Sequence, residues 1–325
     1  YSNCSVTWKA SQRHYPSYAT VRIFRDGSAE VNCSTVDMGQ GSMTIFAQIA
    51  SEELGIPYER IHVQMPDTTI TPYDQTTSGS RSTFHAGRAI RFAAQDAINQ
   101  LKELGAKVLA CPLENIKAKD GFLICTNNDQ KLPYQSIIEK TAVGNVDIIG
   151  KGASLLEDWT GLDRETGQGL RPASFWMYGA QFIEVIIDTH TGKIQVEKVI
   201  AAHDVGKIIN EINCQQQIEG GIAMGLGMAL MEELKMKNGR ILNANFNRYK
   251  IPNALDMPLI ESILVEEPHP DGPYGAKGMA EPPVSLVAPA VANALAKVIG
   301  VWVKDFPLNP ERVIKAINGV RQEDV

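Results

Sequence analysis

The sequence predicts an α+β fold of two related α/β subdomains with mixed sheets, and three observations predict it. Residues 19–37, ATVRIFRDGSAEVNCSTVD, alternate apolar and polar side chains on both sides of Asp26-Gly27, the pattern of a two-stranded hairpin. Residues 180–206, AQFIEVIIDTHTGKIQVEKVIAAHDVG, repeat the pattern around Thr191-Gly192. Each hairpin then runs through a loop into a helical stretch, so hairpin, turn and helix occur twice in the same order.

In the first unit MGQGS leads into MTIFAQIASEEL, where Met43, Phe46, Ile49, Ala50 and Leu54 recur at the spacing of one helix face. A Ser/Thr-rich loop then opens a helix predicted over 81–104. The polar, glycine-rich connector TGLDRETGQGLRPAS, residues 160–174, sets the predicted division at 1–160 and 161–325. In the second unit CQQQIEGGIAMGLGMALMEEL supplies a long helix, and Gly225-Leu226-Gly227 within it reads as close helix packing. KGMAEPP, residues 277–283, precedes an Ala/Val-rich helical stretch, and its two prolines keep Glu281 out of any helix interior. The tail NPERVIKAI has Asn309 as cap and Pro310 in the first turn of a last helix.

Apolar residues make up 44% and charged residues 21% of the 325, which predicts a sizeable core and excludes wholesale disorder, collagen-like repeats and coiled coils. The net charge of −6 argues against nucleic-acid binding through the overall field. Cys4, Cys33, Cys111, Cys125 and Cys214 form neither a C-x-x-C nor a Cys/His zinc or iron–sulfur spacing. They are expected to be reduced and mostly buried, in a cytoplasmic protein. No apolar run reaches the ~18 residues of a membrane span, and no signal peptide opens the chain, so no membrane partner is expected.

Three segments carry candidate chemistry. In VDMGQGSMT the glycines around Gln40 let backbone amides approach a ligand at a helix N-terminus, although such a turn is more often plain connection. It is no dinucleotide fingerprint, since neither G-x-G-x-x-G nor G-x-x-x-x-G-K-[ST] occurs. QTTSGSRSTFHAGRAI offers many hydroxyl and amide donors around Arg81, which fits a phosphate or polar heterocycle, with helix capping as the plainer reading. Glu281 stands beside an apolar wall at a helix start, where it is either a cap or a rigidly held general base. His85, His203 and Asp204 read as core or loop residues, because neighbours on a strand face opposite ways.

Taken in order, VDMGQGSMTIFAQIASEELGIP, TPYDQTTSGSRSTFHAGRA, HDVGKIIN, QIEGGIAMGLGMALMEEL, YKIP and KGMAEPP resemble the C-terminal half of the molybdopterin-binding subunit of the xanthine oxidase and aldehyde oxidoreductase family of molybdenum hydroxylases. The resemblance covers nearly the whole chain. Its organisation is similar to nicotinate dehydrogenase, where the molybdopterin protein is split into two polypeptides.

The resemblance implies that Gln40 and Gly41 contact the pterin, and that Ser78, Gly79, Ser80, Arg81 and Ser82 wrap the pterin and its phosphates. It implies that the backbone of Lys277, Gly278, Met279 and Ala280 passes close to the molybdenum ligands. Glu281 matches the family's base, taking a proton from a Mo–OH group as hydride passes to a sulfido or selenido ligand. Met224 stands where many relatives have Gln, which leaves one polar contact unmatched, and Ala280 where many have Gly. The implied cofactor is molybdopterin, in its cytosine dinucleotide form, carrying Mo.

The implied partners are a larger molybdopterin subunit, a [2Fe-2S] iron–sulfur subunit and an FAD-bearing flavin subunit. The implied reaction is hydroxylation of an electron-poor C–H of an N-heterocycle of the nicotinate type. Purine or aldehyde oxidation, and a non-catalytic scaffold closing the larger subunit's pocket, are the alternatives. A hydrolase is disfavoured because no G-x-S-x-G occurs. Tyr1, Trp8, His14 and Tyr15 are candidate substrate contacts, with packing at a subunit seam an equal reading.

Overall fold

The computed structural model describes residues 2–4, 16–141, 147–156, 160 and 162–323. Tyr1, Trp8, His14 and Tyr15 lie outside them. After a short strand β1 (Ser2–Cys4), the first unit runs β2 (Ser17–Ile23), β3 (Ala29–Asn32), α1 (Ser42–Leu54) and β4 (Ile61–Val63). A π-helical turn, Ser82–Ala86, then opens α2 (Gly87–Val108). A three-stranded meander of β5 (Ile116–Lys119), β6 (Phe122–Cys125) and β7 (Lys131–Pro133) with α3 (Tyr134–Lys140) follows, and β8 (Ile148–Ser154) closes the unit. The sequence pattern gave no sign of this meander.

The second unit runs β9 (Trp176–Ile187), β10 (Ile194–Asp204), α4 (Glu211–Leu230), a small ribbon of β11 (Met236–Lys237) and β12 (Arg240–Ile241), β13 (Leu259–Val265), α5 (Pro282–Ile299) and α6 (Pro310–Glu323). Asn309 caps α6 by accepting from the Arg312 amide at 3.0 Å.

The two large sheets share one pattern. In order β4-β3-β2-β8, β3 pairs parallel with β4 while β2 pairs antiparallel with β3 and β8. In order β13-β10-β9-β1, β10 pairs parallel with β13 while β9 pairs antiparallel with β10 and β1. A parallel pair needs a long crossover, which α1 and α4 supply in equivalent places. The fourth strand differs in origin: β8 follows its unit in sequence, whereas β1 precedes both units and crosses to the second sheet.

Each unit has its own apolar core. Phe46, Ile49, Leu54, Ile90, Leu101 and Ile148 fill the first, and Val199, Ile222, Leu226, Val287, Val291 and Leu295 the second. Each such side chain contributes roughly 1.5–3 kcal/mol on burial. The helix α2 lies so close to β8 that a Cβ on Gly150 would stand 2.0 Å from the Ala93 carbonyl oxygen, and one on Gly152 1.9 Å from that of Ala89. Between α4 and α5 the same device recurs: a Cβ on Gly225 would meet Val287 at 2.6 Å. Gly225 therefore packs α4 on α5, whereas Gly227 faces Glu232 and Pro252 in the segment after α4. Length and composition alone would let α5 cross a membrane, but Leu286, Val287, Val291 and Leu295 are buried in the second core.

One expectation is corrected. Cys111 and Cys125 form a disulfide, with Cα atoms 6.1 Å apart, because the tight turn after α2 returns the chain into the β5–β6 hairpin. Cys33 and Cys214 are free.

Candidate functional site

The Gly-Gln-Gly turn is held by a residue the sequence reading passed over. One oxygen of Asp37 accepts from the amides of Gly39 (2.9 Å) and Gly41 (3.3 Å), and the other from Met43 (3.0 Å) in the first turn of α1. Burial pushes this carboxyl up, but the three N–H bonds outweigh it and hold the group below the usual carboxylate range. Gln40 Oε1 accepts from the Met38 amide, and its Nε2 donates to the Val36 carbonyl (2.7 Å) and Ser42 Oγ (2.9 Å). The glycine amides expected to be free for a ligand are thus spent on Asp37. An aspartate two residues before Gly-x-Gly is the signal that would have found it. Asn213 of α4 donates weakly to the Gly41 carbonyl at 3.4 Å, joining the turn to the second unit.

The Ser/Arg loop is built on Asp74. This buried carboxylate accepts from Arg81 Nη1 (2.6 Å), Ser17 Oγ (2.7 Å), Thr35 Oγ1 (2.8 Å) and the Gln75 amide (2.9 Å). Arg81 also donates to Ser17 Oγ and to the Thr76 carbonyl. Its guanidinium is therefore a buried cation already neutralised by Asp74. Thr77, Ser78, Gly79, Ser80, Arg81, Ser82 and Thr83 line a cavity of about 540 Å³. Ser80 has φ of 54°, in the left-handed region.

The opposite wall comes from the second unit. Lys277 Nζ donates to Asp204 Oδ2 at the end of β10, and both side chains are buried. The Lys277 amide donates to the Val205 carbonyl at 3.0 Å, and the Gly206 amide to Asp204 Oδ1 at 3.0 Å. His203 turns the other way, its Nε2 lying 3.3 Å from Gln181, and burial pushes its imidazole down to about 4. Between these anchors and α5 run Gly278, Met279 and Ala280, which line the cavity with Glu281.

Glu281 is the N-cap of α5, yet its side chain makes no capping bond to that helix. It reaches back across the seam instead. Oε2 accepts from Ser80 Oγ at 2.9 Å and Oε1 from the Gly79 amide at 3.2 Å, while the Glu281 amide donates to Ser80 Oγ at 3.0 Å. In this chain Glu281 is exposed.

His85 lies beneath the loop, sharing hydrogen bonds with Ser154 (3.2 Å) and Ser174 (2.9 Å). Burial, reinforced by the Arg81 cation, pushes its imidazole down to about 3. It is a neutral strut.

The sequence profile of the molybdopterin cofactor-binding domain matches residues 2–258. The chain belongs to this family, the molybdenum-binding domain of xanthine oxidase-type enzymes. It is 30% identical over 298 residues to the xanthine dehydrogenase molybdenum-binding subunit of Escherichia coli O157:H7, covering 91% of this chain and 38% of that one. It is 31% identical over 313 residues to the nicotine 6-hydroxylase large subunit of Paenarthrobacter nicotinovorans, covering 93% and 37%. Among solved structures, quinoline 2-oxidoreductase from Pseudomonas putida 86 superposes with a TM-score of 0.81 at 27% identity, over 94% of this chain and 38% of that one. The chain thus spans well under half the length of these relatives.

The residues present fit a molybdopterin group. The duplication brings four helix N-termini to one cavity: α1 at Ser42, the turn before α2 at Ser82 and Thr83, α4 at Asn213 and Cys214, and α5 at Glu281. At α1 the dipole end is already met by Asp37 and at α5 it faces Glu281, which leaves the starts of α2 and α4 as the ends that favour a phosphate-bearing ligand. Among the described residues, no group of three or more His, Cys, Asp or Glu is placed to hold a metal ion, which suits a group whose metal brings its own ligands. Met224 is exposed on α4 outside the cavity lining.

Proposed function

We propose that this molybdopterin-binding chain carries the base of a multi-subunit molybdenum hydroxylase acting on an electron-poor C–H of an N-heterocycle. One observation carries the proposal: Glu281 is fixed on the cavity wall by donors to each carboxylate oxygen, yet remains open on its outer side. When bound, the molybdenum–pterin group supplies the two-electron oxidation.

The protein's part is positional and acid–base. Each oxygen of Glu281 accepts one bond, so each keeps a lone pair on which a proton from a water-derived hydroxyl can land. The turn at Gln40 and Gly41 and the loop at Ser78, Gly79 and Ser82 flank the group, while the backbone of Lys277, Gly278, Met279 and Ala280 holds the distance from Glu281 to the reacting atoms. Arg81 acts from behind, keeping the loop in shape through Asp74.

The chain spans 38% of these relatives; in this proposal the remainder of the site comes from a larger molybdopterin polypeptide, with iron–sulfur and flavin subunits carrying electrons away. The names of two relatives, for nicotine and quinoline enzymes, accord with a ring heterocycle, while others are named for xanthine and aldehyde enzymes, so the substrate class is decided by turnover. The test is to purify the complex with its companion chains and measure molybdenum, pterin nucleotide, iron and flavin. Turnover of nicotinate-type rings, xanthine-type purines and aldehydes is then compared. Preference for purines or aldehydes would overturn the substrate class, and absence of molybdenum would overturn the function.

A further inference from the structure

Glu281 and Ser80 are 201 residues apart in sequence and share two hydrogen bonds at one hydroxyl. A serine hydroxyl has one proton to give, and here it goes to Glu281 Oε2; a lone pair of the same oxygen takes the Glu281 amide. The hydroxyl is thus engaged on both sides by a single residue and has no proton left for a pterin or phosphate oxygen.

Three further features show that this contact is built in. Ser80 adopts φ of 54°, a conformation that non-glycine residues take rarely. Gly278 lies against the Ser80 carbonyl so closely that no side chain would fit. Each partner also hangs from a separate buried ion pair: Arg81 with Asp74 next to Ser80, and Lys277 with Asp204 four residues before Glu281. Two loops, each rigid by itself, therefore meet at the Ser80 hydroxyl.

We propose that Ser80 is the positioning residue of Glu281, fixing where the carboxylate stands and which lone pairs stay open. This rests on the reading of Glu281 as base. An ordinary structural serine would explain one bond to one backbone group; it would not explain a hydroxyl that grips both the amide and the carboxylate of the same residue.

The test uses the molybdenum-loaded complex with Ser80→Ala and Ser80→Gly. Glycine tolerates the positive φ, so it separates loss of the hydroxyl from loss of the backbone shape. The first readout is hydrogen–deuterium exchange in a peptide spanning residues 278–284, where Pro282 and Pro283 carry no amide and fragmentation of the peptide separates Glu281 from Met279, Ala280 and Val284. Losing one hydrogen bond is expected to speed Glu281 exchange about tenfold in both variants. With misaimed carboxylate, kcat falls about tenfold or more at unchanged KM, and molybdenum and pterin content stay at the wild-type level.

Exchange and kcat within twofold of wild type would overturn the proposal, as would loss of the pterin group in both variants or full recovery in Ser80→Gly. Should Glu281→Gln retain turnover, the base reading fails, and the exchange measurement still decides whether Ser80 holds Glu281.

Discussion

A Cβ on Gly278 would stand 1.4 Å from the carbonyl oxygen of Ser80, so the loop leading to Glu281 and the Ser/Arg loop touch backbone to backbone. The blocking atom belongs to the main chain and cannot rotate away. Gly278→Ala is expected to push the loops apart by about 1 Å or more and to lower turnover by about 10²-fold. The cost in stability is about 1–3 kcal/mol. Turnover and thermal melting of the variant check both halves.

The Asp204–Lys277 pair is almost wholly buried, so its members stand or fall together. Removing one charge strands the other, and Lys277→Met or Asp204→Leu should each destabilise by about 3–5 kcal/mol. The double variant should recover much of that loss. Denaturant unfolding of the three variants gives the coupling directly.

Arg81 behaves alike on the other side of the cavity. As a partner of buried Asp74, Arg81→Met should lower stability by about 3 kcal/mol. A surface anion ligand would lose cofactor at unchanged stability. Melting temperature and pterin content, measured on the same preparation, separate the two.

The two buried histidines make stability pH-dependent in a definite direction. Their imidazoles titrate near 3 and 4 when folded and near the ordinary 6.5 when unfolded, so below about pH 6.5 the unfolded chain takes up more protons. The stabilising contribution of the neutral rings is full above that pH and is lost as pH falls toward 4. Each ring steepens the fall by up to about 1.4 kcal/mol per pH unit. Melting temperatures between pH 7 and 5 should fall less steeply in His85→Asn, whose amide can still bond to Ser154 and Ser174.

The sequence made legible whatever depends on near neighbours. The hairpin at Asp26-Gly27, the apolar face of α1, the glycines between α4 and α5 and the prolines after Glu281 all act within a few residues of themselves. The strand β8 was hidden because its IIGKGAS carries two glycines that only the approach of α2 explains. The place of β1 was hidden because three residues hold no pattern, and its partner lies more than 170 residues away.

At the site, the segments around Gln40, Ser80 and Glu281 were legible as lining, and the structure gathers them on one cavity. What sequence could not show is how the polar groups are spent. Asp37, Asp74 and Asp204 look like ordinary loop carboxylates, and each acquires its role from donors that folding delivers. The pairing of Arg81 was hidden for that reason: its partner Asp74 sits seven residues away in a loop without helical or strand spacing.

The most direct test of the account is Glu281→Gln in the molybdenum-loaded complex. The amide keeps the size of the side chain and can still accept from Ser80 or Gly79, but it cannot take a proton. The account predicts molybdenum and pterin content equal to wild type with turnover lowered by about 10²–10⁴-fold, the usual worth of a general base. Turnover within a few-fold of wild type at full molybdenum content would contradict it.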